Sequence, residues 1–194
     1  MTDLGEHLAR GGLVILSGDA LRGGDLDLAG AASRVTPAMI NFMALHGRGL
    51  VCLGLTAKRA QELEIERQDS ESARSSGRPF GRSIEARHGT TTGISAADRA
   101  LTIATAVDPR NGPQSLISPG HIFPLIADPR GPSARLSTLE AGVAMMDAYG
   151  LGEGVVLCAM LREDGTMARA HELGDFTAEH DVPIVDIGEW VESQ

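Results

Sequence analysis

The stretch VTPAMINFMALHGRGLVCLGLT, residues 35–56, joins a helix start to a buried strand. Thr36 offers a hydroxyl to free N–H groups, and Pro37 lacks an N–H where none is needed, so a helix begins there and runs to about His46. GLVCLGLT is a short apolar run bounded by glycine, the pattern of a strand covered on both faces. GGLVILSG, residues 11–18, reads the same way on the N-terminal side. Beyond Thr56, TAKRAQELEI predicts a second capped helix, and ISAADRALTIATAVDP a third, capped by Ser95 and stopped near Pro109. HIFPLIA, GVVLCAML and PIVDI read as strands, while TLEAGVAMMDAYG and MARAHELGDFTAEH read as helices. Helices and strands interleave, which predicts an α/β (α+β) fold: a mixed β-sheet sandwiched by helices, with residues 1–194 forming one domain. ERQDSESARSSGRPFGRS, residues 66–83, reads as a long exposed loop, a length that marks function or disorder.

Composition excludes several classes of function. Twenty-six acidic against 17 basic residues give a net charge of −9 with no long run of either sign, unlike a nucleic-acid surface. Aromatic residues make up 3% of the chain, too few for base-stacking platforms. Cys52 and Cys158 both lie in apolar runs, so buried thiols are expected rather than a disulfide, as suits a reducing cytoplasm. No apolar run reaches the roughly 18 residues of a spanning helix, and the first 30 residues lack a leader pattern, so neither membrane insertion nor export is expected.

Five blocks in order, VTPAMINFMALHGRGLVCLGLT, TTGISAADRALTI, SPGHIFPL, LEAGVAMMDAYG and EDGTMAR, resemble the 3,4-dihydroxy-2-butanone 4-phosphate synthase family. That family converts ribulose 5-phosphate into a four-carbon phosphate and formate. The resemblance implies this family's fold, a homodimer with active sites at the subunit interface, and dependence on magnesium. It also locates departures. The family's loop after the first strand reads Arg-Glu-Asn-Glu-Gly-Asp, its first Glu a metal ligand; here Arg22, Gly23, Gly24, Asp25, Leu26 and Asp27 stand in register. The other ligand is the His of Gly-His-Thr-Glu, which reads Ser137, Thr138, Leu139, Glu140. Gly18, Ser118 and Ala159 replace an Asp, an Arg and a Glu.

The residues that stay set the candidates. His121, at a Pro-Gly turn opening a strand, is the acid/base candidate. Asp27 is expected to orient His121, bind a substrate hydroxyl or transfer a proton itself; its alternative is a solvated turn aspartate. The family places a cysteine near substrate, as Cys52 would be, although a buried thiol packs as a small hydrophobe. Arg22 and Arg135 carry planar forks for phosphate or carboxylate, with Arg135 at a position resembling the family's phosphate site. Thr91, Thr92 and Ser95 lie where a loop enters a helix and offer N–H groups to an anion; capping explains Ser95 equally well. Asp25 is the carboxylate that a rebuilt magnesium site would draw on. Glu140 is either a partner of a helix dipole or a catalytic group. His46 reads as a helix-end residue whose cation the dipole favours.

With Gly23, Thr138, Leu139 and Ala159 in place of charged groups, the pocket is expected to be roomier and less polar. Three readings follow. The first is a repurposed lyase, isomerase or cyclase of specialised metabolism that does acid/base chemistry without a metal cofactor on a less polar small molecule. The second is an active synthase with a rebuilt magnesium site. The third is a non-catalytic dimer that binds a ligand or a relative.

Overall fold

The computed structural model describes residues 3–68 and 78–194; residues 69–77, the middle of the stretch expected as a long exposed loop, lie outside them. Among the described residues seven strands form one mixed sheet: β1 (Val14–Asp19), β2 (Asp25–Ala31), β3 (Arg48–Leu55), β4 (Ile84–Ala86), β5 (Leu116–Ile126), β6 (Gly154–Met160) and β7 (Ile184–Asp186). Their spatial order is β4-β5-β3-β6-β2-β1-β7. The pairs β3/β5 and β1/β7 are parallel and the rest antiparallel. The helices are α1 (Leu4–Ala9), α2 (Pro37–Phe42), α3 (Ala57–Glu62), α4 (Ala96–Val107), α5 (Thr138–Ala148), α6 (Gly174–His180) and α7 (Ile187–Glu192).

Alternation along the strands makes two apolar layers. Leu26, Leu28, Val51, Leu53, Val156 and Cys158 pack with Met39 and Ile40 of α2 and Ile103 of α4 on one face. Ala29, Ala31, Cys52, Val155 and Leu157 pack with Leu8 of α1, Met145 of α5 and Trp190 of α7 on the other. Both thiols are free and buried, one in each layer. The sandwich read from the sequence is the observed one, although α1, β2, β4 and α7 were not legible there as separate elements. The stretch expected as one helix around residue 174 divides into a 3-10 turn, Ala170–Glu172, and α6.

The caps form as the side chains predict. Thr36 accepts the Met39 N–H at 3.1 Å, Thr56 that of Arg59 at 3.0 Å, and Ser95 that of Asp98 at 3.0 Å. Thr36→Ala removes the acceptor at the start of α2 and is expected to cost about 1 kcal/mol, read from the urea midpoint; an unchanged midpoint would mean Pro37 alone fixes that end. The helix read as ending near His46 stops at Phe42 and continues as a π turn, Met43–Gly47, closed by Arg48 at φ 64°. His46 therefore meets no regular α-helical terminus. It stacks among Phe42, Phe176 and His180, and burial, with His180 and Arg48 adding to it, lowers its pKa, the reverse of the expected cation preference.

Candidate active site

The turn between β1 and β2 is built by glycines. Gly23 and Gly24 adopt φ 67° and 80°, and a Cβ on either would meet nothing within 4 Å. This conformation favours glycine for backbone reasons alone. The turn returns the chain so that Asp19, at the end of β1, and Asp27, inside β2, share one guanidinium. Arg22 Nε donates to Asp19 Oδ2 at 2.9 Å and its NH2 to Asp27 Oδ2 at 2.5 Å. Arg78 donates to Asp27 Oδ1 at 2.8 Å, and Thr138 Oγ1 to Asp27 Oδ2 at 2.6 Å. Asp27 is thus a fully buried carboxylate with charged partners rather than a solvated turn residue. Burial pushes its pKa up, with Arg22 and the Thr138 hydrogen bond pulling the other way.

The start of α5 closes the other side. Glu140, 1% exposed, accepts from Arg135 NH1 at 2.9 Å and the Asp128 N–H at 3.1 Å, and its carboxylate takes the Ser137 hydroxyl. Asp25 pairs with Arg169 of EDGTMAR at 3.2 Å, and Arg169 also donates to Gly23 O. Leu139 is buried in the second apolar layer, and Ala159 pairs with Asp27 across β6/β2. The cleft lined by Asp19, Arg22, Arg78, Arg135 and Thr138 has a volume of about 10 Å³. That space admits about one water. The expectation of a roomier, less polar pocket fails here, because Arg22 and Arg78 fold over Asp27 and fill it.

A second group lies on β5 and its neighbours. His121 Nδ1 sits 2.7 Å from Glu85 Oε2, and Gly93 lies against this pair. Asp98 accepts from the Thr91 N–H and hydroxyl and from the Gly93 N–H, and these bonds lower its pKa. Thr92 and Ser95 are exposed on the same loop. Asp27 does not orient His121 within the chain. β6 and β3 separate their strands, three interstrand steps or about 14 Å, and Glu85 holds the imidazole instead. Cys52 is 0% exposed and its thiol is pushed up by burial, which keeps it protonated.

Sequence reasoning passed over Asp19, Arg78, Glu85 and Arg169. One signal was present, for Glu85: a glutamate between Ile84 and Ala86 needs a buried partner.

The chain matches the 3,4-dihydroxy-2-butanone 4-phosphate synthase family over residues 2–193, and it belongs to that family. It is 44% identical to the 3,4-dihydroxy-2-butanone 4-phosphate synthase of Neisseria meningitidis serogroup A, over 94% of this chain and 50% of that protein. The synthase of Chromobacterium violaceum is 37% identical over 97% of this chain and 91% of the relative. A solved 3,4-dihydroxy-2-butanone 4-phosphate synthase in complex with two magnesium ions superposes with a TM-score of 0.91 at 30% identity, covering 98% of this chain and 94% of that one. The chain spans about half the length of several curated relatives that it matches.

The expectation of a cofactor-free enzyme is overturned by this last comparison, since a solved member of the same family is a magnesium complex. The residues present can be tested against such an ion. Gly23 has no side chain and Thr138 Oγ1 is bound to Asp27, so the two positions that the resemblance marks as ligands offer no open donor. Among the described residues no three His, Cys, Asp or Glu side chains gather into a cage. Asp19, 0% exposed, keeps Oδ1 without a hydrogen-bond partner on the wall of the Arg22 cleft. Magnesium prefers hard oxygen, keeps several waters and is commonly held by one or two carboxylates plus substrate phosphate. One buried carboxylate oxygen without a hydrogen-bond partner, Asp19 Oδ1, is what these residues offer to that mode of binding. No helix among the described residues is long and apolar enough to cross a membrane.

Proposed function

We propose that this chain is an enzyme of the synthase type named for its family, converting ribulose 5-phosphate into 3,4-dihydroxy-2-butanone 4-phosphate and formate with magnesium, as one domain in a homodimer. Identity near 40% to relatives named as synthases carries this reading. The cleft around Asp19 supports it: among the described residues the guanidinium groups of Arg22, Arg78 and Arg135 gather there beside the carboxylates of Asp19, Asp27 and Glu140.

Asp19 Oδ1 would hold the ion, with Asp25 the next carboxylate along the turn. Bound there, magnesium would supply a Lewis acid toward the substrate's oxygens. Arg22, Arg78 and Arg135 orient the phosphate through their planar forks. Thr91 and Thr92, on the loop that Gly93 brings against the His121–Glu85 pair, would contact the substrate, and His121 would move a proton at Nε2. The separation of His121 from Asp27 favours a dimer: a second copy that brings its imidazole to this cleft completes a site which one chain leaves in halves.

Purified protein with ribulose 5-phosphate should release formate only when magnesium is present, and a chelator should stop it. Asp19→Asn should raise the magnesium concentration needed for half-maximal rate about tenfold, because a charged ligand is lost. Folded protein that yields no formate at any magnesium concentration would remove the synthase reading.

A further inference from the structure

We propose that Glu85 is the positioning residue that fixes the tautomer of His121, so that Nε2 faces outward as the proton acceptor. The effect of Glu85 on turnover rests on the function proposed above; its effect on the tautomer does not.

Glu85 lies in β4 with its side chain 8% exposed, against 43% for His121. Its Oε2 receives two N–H groups from the same residue, the backbone N–H of His121 at 3.1 Å and ring Nδ1 at 2.7 Å. An ionised carboxylate only accepts, so Nδ1 carries the hydrogen and the lone pair of the neutral ring is on Nε2. The carboxylate is itself held. Thr102, 0% exposed, accepts the Ala86 N–H on Oγ1 at 3.0 Å, which directs its own hydrogen to Glu85 Oε1 at 3.1 Å. Gly93 covers the pair at φ 83°, where a Cβ would overlap both the Glu85 carboxylate and His121 Nδ1. Ring orientation, tautomer and a negative charge beside the imidazolium that forms are thus supplied by one buried side chain. This is the arrangement by which a carboxylate prepares a histidine for proton transfer.

The test uses the full chain labelled with 15N, reading the His121 ring nitrogens by two-dimensional NMR, together with steady-state formate release. In the parent protein His121 should be the Nδ1–H tautomer. Glu85→Leu should move it toward Nε2–H and lower kcat about 100-fold with KM changed less than about threefold. Glu85→Gln keeps an acceptor oxygen and the tautomer but loses the charge, and kcat should fall about tenfold at unchanged Tm. Should the leucine variant not fold, Glu85→Gln and Thr102→Val carry the test, the latter expected to lower kcat without moving KM. A Glu85→Gln enzyme with full kcat would reduce Glu85 to a fold contact and overturn the proposal. So would an Nε2–H tautomer in the parent, and that result is readable even in a protein that makes no formate.

Discussion

Arg22→Leu is expected to lower the stability of the folded chain by about 3 kcal/mol, measured as a shift of the urea midpoint. Arg22 is 9% exposed and its guanidinium spans Asp19 and Asp27, both 0% exposed. Removing one partner of a buried ion pair leaves a carboxylate in a low dielectric, which costs about 3–5 kcal/mol. The lower figure applies because Arg78 and Thr138 still bond Asp27. The loss should depend on pH. Burial holds the folded Asp27 carboxyl above its ordinary value, so its stabilising share is complete in acid and lost as pH rises through the folded value. Arg22 is a group that pulls this value down, so without it the folded value climbs and the loss grows. The gap between parent and Arg22→Leu should be small in acid and widen toward neutrality; a gap that narrows would show the two carboxylates do not share this cation.

His121→Asn should lower kcat and kcat/KM together by a factor of about 10²–10⁴. Asparagine can still give an amide hydrogen to Glu85 but has nothing equivalent to Nε2, so the packing is kept and the proton acceptor is lost. A comparable Tm with formate release within about threefold of the parent would take His121 out of the chemistry. Mixing His121→Asn with Arg135→Ala protein tests the shared site: dimers of one copy each hold one intact pairing and should recover part of the lost activity.

Strands and helices were legible because glycine-bounded apolar runs and Thr-Pro or Ser caps are local signals, written in neighbouring residues. The strand at Asp25–Ala31 was not, because its first half follows two glycines and carries two aspartates, a pattern that reads as a loop until Arg22, Arg78 and Thr138 are brought to it. The candidate site shows the same division. His121 stands out by its Pro-Gly turn, but its partner Glu85 lies 36 residues earlier in a three-residue strand. Asp19 was overlooked because what distinguishes it is an oxygen without a partner, a property of packing rather than of residue type. The loss of carboxylates at Gly23 and Ala159 suggested an open pocket, yet Arg22 and Arg78 converge on Asp27 and close the cleft beside it.

Both margins of the sheet are three residues long, Ile84–Ala86 and Ile184–Asp186. The long apolar strands, eleven residues in β5 and eight in β3, run inside it. An edge this brief offers an incoming strand few unpaired N–H and C=O groups, so the chain resists templated growth into fibres without needing charges along its margin. Deleting the segment after Val182 would move that margin to VILSGD, a six-residue strand of largely buried residues, and is expected to favour strand-by-strand assembly.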